Sequence, residues 1–271
     1  MNKLTKVGVS ALCGSLASIA SAQAGSLDVT GGATATYSSV DGVVVGNPLG
    51  MATGMTFTGN GELDNGSTFT VSYALTNKAG YTGSAISVTT PSLGTFKYDE
   101  GGGTGLDRID DMMPTAWEET NGTSLGTGAQ TVSGVGGAMA IEWDISSDML
   151  PDGVSMQIAH SPKAGNSGTS DKSQGGDGVY GAGWDFVVQH STLVDGMNFF
   201  AGYSTIEQNA ARADGDRMAY SIGATYAIGS TTLGYQRTRD SHNLVSGASM
   251  YENDMYGVSF AVNDDLSISY G

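Results

Sequence analysis

Seven carboxylates fall within 21 residues: Asp99, Glu100, Asp107, Asp110, Asp111, Glu118 and Glu119. Lys97 stands just before them and Arg108 among them. In a narrow passage with low-dielectric walls, such a set concentrates cations and repels anions. The same oxygens also suit Ca²⁺, which takes several carboxylate ligands. The spacing is not that of an EF-hand, so structural Ca²⁺ stays open, the metal site unassigned, and no other cofactor is implied. A plainer reading is a solvated acidic loop. His160, His190 and His242 raise the possibility of a Ser–His hydrolase. Each lies at or near a strand end or in a loop, with no nucleophile motif beside it, so no enzyme is expected. Gly175-Gly176-Asp177-Gly178 resembles a Ca²⁺-binding β-roll repeat, but it occurs once and reads as a glycine-rich loop.

The residues around the acidic stretch follow a period of two. Leu27, Val29, Ala33, Ala35 and Tyr37 alternate with Asp28, Thr30, Thr34 and Thr36. Met55, Phe57 and Leu63 oppose Thr56, Thr58, Asn60 and Glu62, and Asp64-Asn65-Gly66 marks a tight hairpin turn. Phe96 and Tyr98 share a face, which places Lys97 on the opposite, polar one. Ile141, Trp143 and Ile145 alternate with Glu142 and Asp144, and Trp184, Phe186 and Val188 with Asp185. The clearest strand carries Met218, Tyr220, Ile222, Ala224, Tyr226 and Ile228. Thirteen strands can be counted, joined alternately by short turns and long polar loops. That asymmetry suits an outer-membrane barrel, with an apolar face for lipid and a polar face for a wet interior. Aromatics near strand ends suit interfacial girdles. Arg237 falls outward at the external end of its strand, where it can snorkel to headgroups.

Composition narrows the alternatives. Lys3 and Lys6, an apolar run over Val7 to Ala20, and Ala22-Gln23-Ala24 make residues 1–24 a secretory signal peptide. Cys13 is the only cysteine, so residues 25–271 must be held without disulfides. Net charge is −16. Removing Lys3 and Lys6 leaves nine basic residues against 27 acids, or −18. This excludes nucleic acid as a partner and favours cations. No later stretch has the continuous apolar length of a membrane helix. Backbone groups in lipid have no water to bond, so a spanning sheet must close on itself.

The signal peptide, the alternation, and the junction Leu93-Gly94-Thr95-Phe96-Lys97-Tyr98 running into a long acidic loop resemble Gram-negative general porins, most closely the alphaproteobacterial type. The resemblance implies a transmembrane antiparallel β-barrel of the 16-stranded type in the outer membrane. It also implies a third external loop, here about residues 99–135, that folds inward and narrows the pore. Leu106-Asp107-Arg108-Ile109-Asp110-Asp111-Met112-Met113-Pro114 is similar to the family's constriction segment. On this basis Lys97, Asp99, Glu100, Asp107, Arg108, Asp110, Asp111, Glu118 and Glu119 are expected at the pore constriction. The implied function is passive diffusion of ions and small hydrophilic solutes, mildly cation-selective, in a homotrimer surrounded by outer-membrane lipid. A structural or adhesive surface β-protein without an open pore is the alternative. The chain departs from many general porins in showing no arginine cluster on its inward faces. It also stops within an alternating strand, so truncation at the C-terminus is expected, with about three strands needed to reach sixteen.

Overall fold

The computed structural model describes residues 26–37, 49–77, 80–99, 102–114, 131–164, 180–209, 213–245, 250–264 and 266–271. Its strands divide between two compact units, Met1–Pro91 and Ser92–Gly271. The first unit holds β1 (Leu27–Tyr37), β2 (Leu49–Glu62), β3 (Thr68–Thr76) and β4 (Gly80–Thr90). Each pairs antiparallel with the next. The expected Asp64-Asn65-Gly66 turn joins β2 to β3. There the Asn65 side chain accepts from the Ser67 N–H at 3.0 Å, and the Leu63 carbonyl accepts from the Gly66 N–H at 2.9 Å.

The second unit is a longer antiparallel meander. It runs through β5 (Gly94–Asp99), β6 (Ala140–Ile145), β7 (Val154–Ser161), β8 (Tyr180–His190), β9 (Met197–Gln208), β10 (Arg217–Ile228), β11 (Thr231–Ser241), β12 (Met250–Asn263) and β13 (Leu266–Tyr270). Thirteen strands are thus present among the described residues. Between β5 and β6 the described chain forms one short 3₁₀ helix, Gly105–Ile109.

The two faces of the strands in this second unit invert the usual rule of burial. On β8, Trp184, Phe186 and Val188 are exposed, whereas Asp185 between them is 0% exposed. On β11, Leu233 and Tyr235 are exposed and Gln236, Thr238 and Asp240 are buried. Soluble proteins hide large apolar side chains and rarely bury an acid without a partner. A sheet with apolar groups outward and paired polar groups inward is matched to lipid on one side and to polar contents on the other. Trp143 stacks on Phe96 at 5.8 Å and donates its indole N–H to the Leu93 carbonyl at 2.7 Å, so a polar tip is satisfied at the short-turn end.

What buries the polar face is the segment after β5. Leu106, Ile109, Met113 and Val132 from that segment form one apolar cluster with Val187 of β8, Phe200 of β9 and Ala219 of β10. Burying side chains such as Leu106 and Ile109 contributes about 1.5–3 kcal/mol each. The strands make room for them with glycine. A Cβ on Gly202 would stand 2.6 Å from Leu106 Cδ1, and one on Gly234 would stand 2.4 Å from Pro114 Cδ.

Candidate functional site

The segment is clipped to the polar face of the second unit by side chains from four strands. Glu142 of β6 accepts the Gly105 N–H at 2.6 Å through Oε2 and pairs with the Arg108 guanidinium through Oε1. Asp185 of β8 takes two backbone donors on Oδ2, Leu106 N–H at 2.8 Å and Val135 N–H at 2.9 Å. The backbone lies so close that a Cβ on Gly105 or Gly134, both at positive φ, would fall within 2.3 Å of that carboxylate. Ser221 of β10 donates to the Ile109 carbonyl at 2.9 Å. Gln236 of β11 donates to the Ile109 and Asp110 carbonyls and accepts the Met112 N–H, each at 2.8 Å. A 3₁₀ turn cannot satisfy all its own terminal groups, and here the wall supplies the missing partners.

The residues singled out in the sequence fall into three groups. Lys97 and Asp99 both lie on β5 and close on each other. Asp99 also accepts the Thr104 hydroxyl at 2.5 Å. Arg108 turns to the wall, where Asp144 at 3.5 Å joins Glu142 as its partner. Asp107, Asp110 and Asp111 belong to the segment itself. Asp107 accepts the Gly103 N–H at 2.5 Å. Asp111 is exposed and Asp110 half-buried. Burial, with the negative charges of Asp111 and Asp107 beside it, pushes the Asp110 carboxyl up to about 8, against a Thr131 hydrogen bond that lowers it. Glu100, Glu118 and Glu119 lie outside the described residues.

Sequence reading placed Glu142, Asp144 and Asp185 on polar strand faces but did not connect them to the segment, and Ser221 and Gln236 gave no signal. The departure from an arginine-rich wall has a structural counterpart. Arg217 of β10 shares the polar face with buried Ala219 and Ser221. Its Nε donates to Asp240 Oδ1 at 2.9 Å, its Nη2 pairs with Oδ2, and it sits over the Tyr180 ring at 5.8 Å. Lys97, Arg108 and Arg217 thus each have a carboxylate partner, and the described residues of the first unit include no lysine or arginine.

The three histidines have other roles. His160 stacks on Trp184 at 4.1 Å. His190 accepts turn N–H groups from Thr192 and Leu193. His242 lies 3.2 Å from Asp240. Among the described residues no cluster of three or more potential ligands could hold a metal ion.

No family model and no curated protein matches the chain. Solved structures do match. The Salmonella typhi OmpF structure in complex with daunomycin aligns with a TM-score of 0.62 at 15% identity, covering 90% of this chain and 77% of that one. A refined porin structure aligns at 0.55 and 12% identity, covering 86% and 78%. The likeness is one of fold, and it gives this chain the all-β, antiparallel porin fold.

Proposed function

We propose that the chain forms an outer-membrane channel of the general porin class for passive diffusion of ions and small hydrophilic solutes, with a mild preference for cations. The observation that carries this reading is the clipping of the Gly105–Ile109 segment onto the polar face of a sheet whose other face is apolar and exposed. A segment in that place narrows a passage without closing it and sets the charge that a solute meets. Asp107, Asp110 and Asp111 are its candidate selectivity residues, with Lys97, Asp99 and Arg108 beside the segment; Glu100, Glu118 and Glu119, outside the described residues, are further candidates by sequence. Cation preference follows from the pairing of the polar-face bases with carboxylates, which leaves the segment's own acids in excess. The junction into an acidic segment supports the alphaproteobacterial type, and assembly as a homotrimer belongs to the same reading.

The test is reconstitution of the full chain in planar bilayers. Discrete, ohmic conductance steps are expected, with a reversal potential under a salt gradient displaced toward the cation side. Membrane insertion without conductance would instead favour a structural surface barrel.

A further inference from the structure

We propose that Met112 and Met255, with Met113 beside them, are an oxidation site whose conversion to sulfoxide frees the far end of the docked segment from β11 and β12 and enlarges the passage. This rests on the channel reading above and adds a chemical control to it.

The dock has two ends of different composition. Near its start Leu106 and Ile109 join Val187 and Phe200 in the apolar cluster, and Glu142, Asp185 and Ser221 hold the backbone by hydrogen bonds. Near its finish the apolar groups are thioethers. Met113 is 8% exposed and belongs to the same buried cluster, and Met112 and Met255 pack against that cluster. The register brings the three together. Gln236 accepts the Met112 N–H at 2.8 Å, and Gln236 is the direct partner of Met255 across β11 and β12. Gly234 and Gly257 are the next inward pair, and Met113 lies on both. A Cβ on Gly234 would stand 3.2 Å from Met113 Sδ, and one on Gly257 would stand 3.2 Å from Met113 Cβ. Met112 and Met255 are half-buried, so a small oxidant in the passage reaches them before Met113.

A thioether packs as a hydrocarbon does, but its apolar character can be removed chemically. Hypochlorous acid transfers its oxygen to the sulfur. An S–O bond forms, the O–Cl bond breaks, sulfur loses two electrons, chlorine leaves as chloride, and the proton goes to water. The product is a polar, chiral sulfoxide. A polar group buried without a hydrogen bond is unfavourable, so the new oxygens must reach water. The segment is the element that yields, because β11 and β12 are tied to each other along eleven paired positions. Its Gly105–Ile109 end keeps its clips on Glu142, Asp185 and Ser221, so the chain swings about that end and does not leave. Oxidation elsewhere lacks this consequence. Met149 in the turn after β6 and Met218 on the outer face of β10 are exposed, and neither stands against the segment.

The test uses the full chain, with Cys13 replaced by serine to remove a competing thiol, in planar bilayers of saturated lipid. Hypochlorous acid is added in small steps and quenched with free methionine, and peptide mass spectrometry reports which methionines carry an added oxygen. Oxidation of Met112 and Met255 is expected to raise single-channel conductance about 1.5-fold or more and to make the steps noisier. M112L/M255L removes both sulfurs at nearly constant volume. Whatever its own step size, that step should not move with oxidant, although Met149 is still oxidised. M112Q/M255Q places a polar group at both positions and should show the enlarged, noisy steps before any oxidant is added. Heat-modifiable gel migration confirms that each variant is folded. Complete oxidation of Met112 and Met255 with unchanged steps would overturn the site. So would an undiminished response in M112L/M255L, or failure of these two residues to oxidise while Met149 does. Each of those results leaves the channel standing, whereas absence of any conductance before oxidant would remove the channel reading itself.

Discussion

Two sets of carboxylates meet at the segment after β5, and they differ in kind. Glu142 and Asp185 stand on strands, are fully buried, and accept backbone N–H groups from the segment. Asp107, Asp110 and Asp111 stand on the segment and are only partly covered. The wall acids are held by groups that cannot move without undocking the chain, so their role is positional. Burial, together with the negative charges of Asp111 and Asp107, raises the Asp110 carboxyl well above the usual carboxylate range. The lesson is that acid count alone overstates charge. Of the acids around this segment, some hold the backbone, some neutralise Arg108 and Lys97, and only the remainder shapes the field that an ion would meet.

This contrast can be broken from the wall side first. Asp185→Ala leaves the Leu106 and Val135 N–H groups without acceptors, and each orphaned buried donor costs about 1–3 kcal/mol. The expected outcome is the largest of the set: a lower unfolding temperature, and single-channel steps that are larger and noisier than wild type as the segment loosens. Asp185→Asn keeps one carbonyl oxygen in place and should show a weaker form of the same change. Gly202→Val attacks the same docking sterically, because its side chain would enter the space of Leu106 Cδ1 and Ile109 Cδ1. It too should raise and destabilise the conductance with little change in ion selectivity.

Changes on the segment should give the opposite profile. Neutralising Asp107, Asp110 and Asp111 together to asparagine is expected to lower the cation-to-anion permeability ratio several-fold, read as a shift of reversal potential under a salt gradient, with stability nearly unchanged. The smallest effect is that of pH. A carboxyl raised to about 8 is protonated below that value and charged above it, so cation preference should increase as pH rises from 6 to 9. Asp110→Asn should remove that step, and a step that persists in this variant would assign it to another group.

Much of the fold was legible because period-two alternation is a local signal. Trp184-Asp185-Phe186 declares two faces within three residues, and the strands of the structure follow that pattern. The segment's place was legible as a break in the alternation, and its acids as a cluster. Its docking was not. Gly105 and Glu142 are 37 residues apart, Leu106 and Asp185 are 79 apart, and Ile109 and Gln236 are 127 apart. Hydrogen bonds over such separations leave no periodicity. Leu106, Ile109 and Met113 were visible as apolar residues among acids, but their partners Val187, Phe200 and Ala219 lie on other strands. Inward glycines such as Gly202 and Gly234 read only as composition until the segment was seen to press against them.

The most direct test places a single thiol on the segment and another on the apolar face. With Cys13 replaced by serine, Asp111→Cys and Ile222→Cys variants would be reconstituted in planar bilayers and treated with a bulky, charged, water-soluble thiol reagent. If the segment lies in the water-filled passage and Ile222 faces lipid, the reagent lowers single-channel conductance of Asp111→Cys and leaves Ile222→Cys unchanged. Conductance of Asp111→Cys that stays constant after complete labelling would contradict a passage bounded by this segment.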